Sequence, residues 1–296
     1  MAHGNRRAAT TPVGSYIALT KPRIIELLLI TTVPTMVLAH GGWPSTWLVL
    51  ITLVGGTLAA GGANAINMYV DRDIDSLMER TKNRPLVTGA IEPKNALIFA
   101  LALEAVAFVV LWAGANLLSA VLALSATAFY VGVYTLWLKR TSKQNIVIGG
   151  AAGAVPVLVG WSAVQNSLSF TPWLLFAVMF FWTPPHFWAL AIKYADDYRA
   201  ANVPMLPAVV PFHHAVRQMI GHTLAMVACT LWLIPVADLG LVYSISAVVL
   251  GGGFLGSVLW LGKYPSPSMS MRVFAYSITY VTVLFGAMTL DVLISR

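Results

Sequence analysis

Nine long apolar runs dominate this sequence of 296 residues and limit the folds that are open to it. Each run is long enough to cross a bilayer, which takes about 17–25 residues of helix. The runs cover approximately residues 24–41, 46–70, 95–115, 117–138, 145–163, 171–192, 216–237, 240–262 and 272–294. Because backbone groups in lipid must be hydrogen-bonded within their own segment, we expect helices and no strands. The expected fold class is therefore all-α, a polytopic membrane helix bundle with about nine transmembrane helices.

The composition excludes a soluble globular enzyme. Hydrophobic residues make up 58% of the chain and charged residues only 10%, whereas a soluble domain has about 25% charged residues. The net charge of +7 then indicates contact with anionic lipid and an anionic substrate, and not with nucleic acid. The single cysteine, Cys229, lies in an apolar run, so no internal disulfide and no cysteine metal site is expected.

The first apolar run has some features of an export signal. Basic residues precede it, and Val37-Leu38-Ala39 resembles a cleavage site. Glu26 and Pro34 fit the core of an export signal poorly, so we expect this run to be an uncleaved first span. The chain then divides into a cytoplasmic N-terminal tail, residues 1–20, and one membrane-embedded domain, residues 21–296.

The basic residues indicate the topology. With the N-terminus in the cytoplasm, 17 of the 18 Lys and Arg residues fall on the cytoplasmic side, and only Arg296 falls outside. This sorting follows the positive-inside rule and supports both the span count and the orientation. The two longest loops, about Asp71–Lys94 and Lys193–Arg217, then face the cytoplasm and hold most of the acidic residues. Short tails without a transit segment favour the plasma membrane of a prokaryote, with the active site on its cytoplasmic face.

The first charged loop begins with a ladder of oxygen ligands. Asn67, Asp71 and Asp75 are spaced i, i+4, i+8, so they drift only about 40° per step and share one helical face, while Asp73 points elsewhere. Such oxygens suit Mg²⁺, which takes one or two carboxylates and completes its shell with water and phosphate oxygens. Basic side chains that could bind phosphate follow within ten residues: Arg80, Lys82 and Arg84. The alternative is a solvated loop with internal salt bridges.

The second charged loop follows the sixth apolar run. Pro184 and Pro185 in that run are expected to break the helical hydrogen bonds and kink the helix. Lys193 and Asp197 are spaced i, i+4, and His186 precedes Lys193 by two turns on nearly the same face. With the aromatic residues around the prolines, this pattern indicates a cavity wall next to an opening that is lined by charged residues. The alternatives are an interfacial aromatic belt and a histidine used in helix packing.

Taken together, these segments resemble the UbiA superfamily of intramembrane prenyltransferases from about Thr20 to Pro207. The matching motifs are Thr20-Lys-Pro-Arg23; Asn67-x-x-x-Asp71-x-x-x-Asp75; Met78-x-Arg80-Thr-x-x-Arg84-Pro85; Tyr130-x-x-x-Tyr134-Thr-x-x-Leu-Lys139-Arg140; Pro184-Pro-His186-Phe-Trp188; and Asp197-Tyr-x-x-Ala-x-x-Pro204. The Pro-Pro-His-Phe-Trp and Lys139-Arg140 segments favour the haem-acting branch. The second superfamily motif is usually Asp-x-x-x-Asp, and Lys193 replaces its first carboxylate. That replacement puts a second carboxylate-bound Mg²⁺ in doubt, although a lysine could contact diphosphate as a point charge.

The resemblance implies that farnesyl diphosphate, haem B and water react to give haem O and diphosphate, with Mg²⁺ as cofactor. The implied catalytic residues are Asn67, Asp71, Asp75, Lys193 and Asp197. The implied metal ligands are Asn67, Asp71, Asp75 and Asp197. The implied diphosphate-binding residues are Arg23, Arg80, Lys82, Arg84, Lys139, Arg140 and Lys193. The implied haem contacts are His186 and Trp188. The expected partners are the two substrates, the lipid bilayer and a downstream haem A-forming enzyme.

Three other functions remain open at this point. A superfamily relative could prenylate a quinone or chlorophyll precursor instead of haem. A transporter could place polar groups near broken helices, although its ionisable residues would lie near the membrane midplane and not at one interface. A non-catalytic membrane scaffold would be indifferent to the carboxylates. Glu104, the one acidic residue well inside a span, is a functional candidate by default, but the sequence assigns it no role.

Overall fold

A computed structural model describes residues 11–295 of the chain, without the side chains of residues 23–25 and 27–29. Within these residues all regular structure is helical and no strand is present. The expected all-α bundle is therefore confirmed. The helices in chain order are α1 (Pro12–Thr20), α2 (Pro22–His40), α3 (Thr46–Val70), α4 (Arg72–Leu77), α5 (Pro93–Gly114), α6 (Leu117–Ala128), a π-helix (Phe129–Leu138), α7 (Lys139–Thr141), α8 (Asn145–Gln165), α9 (Phe170–Lys193), α10 (Ala195–Ala200), α11 (Leu206–Val209), α12 (Phe212–Val236), α13 (Leu241–Lys263) and α14 (Pro267–Ser295).

The long helices coincide with the apolar runs. Within residues 11–295, eight helices are long and apolar enough to cross a membrane, the segment Leu117–Thr141 counting as one. The remaining run lies in α2 (Pro22–His40), of which the stretch Ile30–His40 is apolar and has described side chains throughout. The chain is thus a multi-pass helical membrane protein, while the cytoplasmic placement of its N-terminus stays a prediction.

Part of the predicted N-terminal tail is packed against the bundle. Residues 12–20 form α1, whose Leu19 is fully buried. The ring of Tyr16 meets that of Phe99 in α5 edge to face, with centroids 4.9 Å apart. Lys21 then adopts a left-handed backbone, with φ 52°, and turns the chain into α2. Residues 1–10 of the predicted tail lie outside the described residues.

The main apolar core lies where α2, α8, α9, α12, α13 and α14 meet. Helix α9 continues through Pro184 and Pro185, although neither proline has an N–H to donate to the preceding turn. Both prolines are buried, and the contacts of α9 with α8, α12 and α14 hold it in one piece. Glycines allow α3 to approach α5 closely, because a Cβ on Gly62 would lie 2.6 Å from Oε1 of Glu104.

Candidate functional site

A cavity of about 320 Å³ lies between α3, α6, the π-helix, α8 and α9. One end is polar and lies beside the two charged loops. It is lined by Lys21, Asn64, Asn67, Arg80, Arg84, Tyr130, Tyr134, Lys139 and Tyr198. The remainder is mostly apolar, and most of its lining residues have small side chains. It is lined mainly by Thr52, Gly56, Ala59, Ala60, Ala63, Ala123, Ala126, Thr127, Gly153, Val155 and Val159. The cavity therefore suits a ligand with an anionic head and a long apolar tail.

The predicted oxygen ladder forms at the polar end. The N–H of Asp71 donates to the carbonyl of Asn67 at 2.9 Å, and the N–H of Asp75 donates to that of Asp71 at 2.8 Å. Helical hydrogen bonding thus continues from α3 into α4. The three side chains are almost completely buried, and Nδ2 of Asn67 donates to Oδ2 of Asp71 at 2.6 Å.

Each buried carboxylate of the ladder has a basic partner. Lys139, at the end of the π-helix, donates to Asp71. Nη1 of Arg84 donates to Oδ2 of Asp75 at 2.5 Å. The two carboxylates lie behind these cations, because Arg84 and Lys139 line the cavity and the carboxylates do not.

Two further basic side chains complete the polar end. Nζ of Lys21 donates to Oδ1 of Asn67 at 2.9 Å. Burial lowers the pKa of the Lys21 ammonium well below its ordinary value, and the nearby Arg84 and Lys139 charges add to this effect. Arg80 donates to the hydroxyl of Tyr198 at 3.4 Å. Arg80, Arg84 and Lys139 against two carboxylates leave an excess positive charge, which an incoming anion would compensate.

One carboxylate oxygen remains without a donor. Oδ1 of Asp71 is buried and accepts no hydrogen bond from any residue that the structure describes, and Nη2 of Arg140 lies 3.8 Å away. Such an oxygen suits a hard cation such as Mg²⁺. No cluster of three or more His, Cys, Asp or Glu side chains among the described residues could hold a metal alone. A cation here would therefore take further oxygens from its ligand, as Mg²⁺ does with phosphates.

The π-helix determines which side chains line the cavity. Nine residues separate Tyr130 from Lys139, which in an α-helix would place them about 180° apart. The wider π turn brings Tyr130, Tyr134 and Lys139 to the same side, and all three line the cavity. The two tyrosine rings stack with centroids 5.4 Å apart. They form an aromatic wall beside the cationic end.

Four of the predicted diphosphate-binding residues lie elsewhere or are not described. Lys82 forms a surface pair with Glu79, Nζ to Oε2 2.5 Å. Arg140 donates two hydrogen bonds of 2.7 Å to Asp73, and these bonds lower the pKa of the Asp73 carboxyl to about 2. The remaining two are Arg23, whose side chain lies outside the described residues, and Lys193, which is exposed with Nζ 5.3 Å from the ring centroid of Tyr194.

Asp197 lies at the rim of the polar end. Its Oδ2 accepts a hydrogen bond of 3.4 Å from the backbone N–H of Arg80. This contact joins the two charged loops, which are far apart in sequence. Neither Asp197 nor Lys193 is among the described residues that line the cavity. The second motif therefore borders the site, whereas the first motif lies directly at it, with Asn67 in the cavity lining and Asp71 and Asp75 behind Lys139 and Arg84.

The two predicted haem contacts lie in helix packing. The His186 ring is stacked between Trp182 and Phe274, and its Nδ1 lies 2.6 Å from Oγ of Ser277. Trp188 is fully buried. Neither side chain is found among the described lining of the cavity. This placement agrees with the packing alternative, because the side chains fill the interfaces of α9 with its neighbours, and their contact with haem stays a prediction.

Some lining residues were missed by the sequence reasoning. Lys21 belongs to the Thr20-Lys-Pro-Arg23 motif, in which the resemblance implies a diphosphate contact for Arg23 alone. Asn64 precedes Asn67 by one turn on the same helix, and its Nδ2 donates to the carbonyl of Thr20 at 3.3 Å. The i, i+3 spacing of two asparagines at the end of an apolar run was the available signal.

Comparison with known sequences identifies close relatives. The sequence model of the UbiA prenyltransferase family matches residues 28–284. A protein of Frankia alni named protoheme IX farnesyltransferase is 53% identical over 288 residues, which cover 95% of this chain and 99% of the relative. A protein of Clavibacter michiganensis with the same name is 53% identical over 284 residues, covering 95% of this chain and 92% of the relative.

Solved structures share the fold at low sequence identity. A digeranylgeranylglyceryl phosphate synthase superposes with a TM-score of 0.78 at 16% identity, covering 95% of this chain and 98% of the other. A UbiA homologue from Archaeoglobus fulgidus, bound to DMAPP and Mg²⁺, gives a TM-score of 0.66 at 18% identity, covering 93% and 99%. At these identities the likeness concerns the fold alone.

Proposed function

This chain belongs to the UbiA prenyltransferase family, and we propose that it transfers a farnesyl group from farnesyl diphosphate to a vinyl group of haem B. Water is added in the reaction, and the products are haem O and diphosphate. The observation that carries the proposal is the cavity with a cationic end and an apolar tail. The relatives at 53% identity, which are named for farnesyl transfer to protoheme IX, support this choice of donor and acceptor.

The cationic end binds and activates the leaving group. The C1–O bond of farnesyl diphosphate breaks, and its electron pair goes to the diphosphate oxygen. Arg80, Arg84 and Lys139 line this end of the cavity, which supports their role in stabilising this negative charge, and Lys21 adds a fourth donor. Preorganised donors aimed at developing charge are usually the largest single contribution to catalysis.

The aromatic wall lies where an allylic cation would form. Tyr130 and Tyr134 present ring faces beside the cationic end, and such faces stabilise positive charge. A vinyl carbon of haem attacks C1, and the resulting cation next to the porphyrin is captured by water, which loses a proton. The enclosing helices keep water from the first cation until this bond has formed.

Mg²⁺ is the cofactor that the polar end fits. The free oxygen Oδ1 of Asp71 and the neighbouring oxygens of Asn67 and Asp75 would hold it, with Asp197 at the rim as a further candidate. When bound, the ion supplies positive charge that neutralises the diphosphate. The proposed location is the plasma membrane of a bacterium, with the site on the cytoplasmic face and haem O passed to a haem A-forming enzyme.

The direct test uses purified protein in detergent with haem B, farnesyl diphosphate and Mg²⁺. We expect mass spectrometry to detect haem that has gained one farnesyl group and one hydroxyl group. Farnesyl transfer to a quinone or chlorophyll precursor, but not to haem, would keep the family and contradict the acceptor. Failure of folded protein to prenylate any of these acceptors would contradict the enzyme function itself.

Lys139→Ala should lower kcat/KM for farnesyl diphosphate far more than Arg140→Ala. Lys139 pairs with buried Asp71 and lines the cavity, so its loss should cost about a hundredfold or more. Arg140 pairs with exposed Asp73, and its loss should cost less than about tenfold. Steady-state kinetics on both variants provide the comparison. Equal losses would contradict the assignment of these neighbouring cations.

Gly149→Ala should reduce activity by displacing an aromatic side chain. A Cβ on Gly149 would lie 2.3 Å from Cδ2 of Tyr134, so the ring must leave its present position in the cavity wall. We expect a loss of about tenfold to a hundredfold in kcat. Gly252→Ala in α13, where a Cβ meets no atom within 4 Å, should leave kcat unchanged. A fully active Gly149→Ala variant would show that Tyr134 has no role in positioning or charge stabilisation.

A further inference from the structure

Two glycines in the apolar part of the cavity differ from the other glycines nearby. A Cβ on Gly56 in α3, or on Gly153 in α8, would meet no atom within 4 Å, and both residues line the cavity. By contrast, a Cβ on Gly150 would lie 2.9 Å from the side chain of Thr183. Glycines such as Gly150 allow close packing, whereas Gly56 and Gly153 leave space for a ligand.

The positions of these glycines along their helices give their depths. Gly153 lies seven residues beyond Ile146, the first lining residue of α8, which is about 10 Å at 1.5 Å per residue. Gly56 lies eleven residues from Asn67 along α3, or about 16 Å. The deep lining residues Val159 and Thr52 lie about 20 Å and 22 Å from the same starting points.

These depths correspond to the length of a prenyl chain. An isoprene unit adds four main-chain bonds, or about 5 Å when extended at C–C lengths near 1.5 Å. Three units then reach about 15 Å beyond the diphosphate, and four reach about 20 Å. A farnesyl chain would therefore pass Gly153 and end near Gly56, while a geranylgeranyl chain would meet the wall at Val159.

We propose that Gly153 and Gly56 allow the cavity to accept a farnesyl chain, and that Val159 sets its upper length limit. The inference rests on the proposed farnesyl transfer and specifies its donor selectivity. A side chain at Gly153 would fill the cavity where the second isoprene unit ends, and a side chain at Gly56 would fill it at the end of the third.

The test is a competition in which dimethylallyl, geranyl, farnesyl and geranylgeranyl diphosphates at equal concentrations react with haem B. Mass spectrometry counts the haem products, and product ratios do not depend on how much active enzyme is present. The farnesyl-to-geranyl ratio should fall about a hundredfold in Gly153→Leu, because several methylene groups lose their space. It should fall about tenfold in Gly56→Leu, where only the chain end is affected.

Two further variants separate chain length from general damage. Gly252→Leu, on an exposed position of α13 outside the cavity, should keep the wild-type ratio. Val159→Ala removes two methyl groups from the wall and should raise the geranylgeranyl share about tenfold. Val159→Ala also tests the proposed upper limit on chain length if the leucine variants fail to fold. An unchanged share of geranylgeranyl product in this variant would overturn that limit.

The outcomes for the inference and for the proposed function are distinct. Wild-type protein that prenylates no haem contradicts the proposed function. Wild-type protein that farnesylates haem, with leucine variants that keep the wild-type ratio, overturns the length assignment alone. Folded leucine variants that are inactive with every donor, dimethylallyl diphosphate included, also overturn it. A leucine side chain far from the cationic end of the cavity should still leave room for the shortest prenyl chain.

Discussion

Replacing Asp71 by Asn should lower the rate of prenyl transfer by at least about a thousandfold while the protein stays folded. The side chain is fully buried at the centre of the ladder, where Asn67 and Lys139 donate to one oxygen and the other has no donor. Asparagine keeps the shape but removes the negative charge. The free oxygen would no longer attract a cation strongly, and Lys139 would lose its counter-charge.

Asp73→Asn is the matched control for this substitution. Asp73 lies two residues further along the chain, but its side chain is 59% exposed and pairs with Arg140 away from the cavity. We expect a change of less than about threefold, because exposed ion pairs contribute little. Kinetics give the rates, and calorimetry gives the binding of farnesyl diphosphate with and without Mg²⁺. Mg²⁺ should strengthen binding in wild type and Asp73→Asn but not in Asp71→Asn. Similar behaviour of the two variants would contradict the placement of the metal.

The membrane bundle and the first motif were predictable from local sequence. Run length alone predicts membrane helices, because lipid forces the backbone to bond within each segment. The i, i+4, i+8 spacing of Asn67, Asp71 and Asp75 predicts a shared face for any helix. The prediction of a shared face is consistent with the structure although α3 ends at Val70, because the backbone hydrogen bonds continue from α3 into α4. These features depend only on neighbours along the chain.

The rest of the site depends on tertiary structure that single-residue patterns do not encode. Tyr130 and Lys139 would face opposite sides of an α-helix, and only the π-helix brings both to the cavity. Lys21 reaches Asn67 because a left-handed residue turns the chain between α1 and α2. His186 occupies a conspicuous motif, but its ring fills a helix interface. Charge and motif therefore locate the region, while the packing decides which side chains line it.

Asp291→Ala should lower the free energy of unfolding by about 3 kcal/mol, although this carboxylate does not line the cavity. Asp291, in α14, is buried and accepts backbone hydrogen bonds at the start of α13: from Gly240 at 2.5 Å, Val242 at 3.0 Å and Tyr243 at 3.2 Å. The first N–H groups of a helix have no partner within it, so the carboxylate satisfies donors that alanine would leave unpaired. The negative charge also favours the positive end of the helix dipole.

Thermal unfolding in one detergent, at one scan rate, should show this loss as a midpoint lower by about 6–12 °C. Asp238→Asn is the control, because Asp238 is exposed and its left-handed φ of 49° suits asparagine equally well. Its midpoint should stay within about 2 °C of wild type.

The rate of prenyl transfer by Asp291→Ala, measured well below the unfolding midpoint of this variant, should equal the wild-type rate per folded molecule. An unchanged midpoint would show that water satisfies these donors as well as the carboxylate does. Lost activity in folded protein would instead mean that the joint between α13 and α14 helps to shape the site.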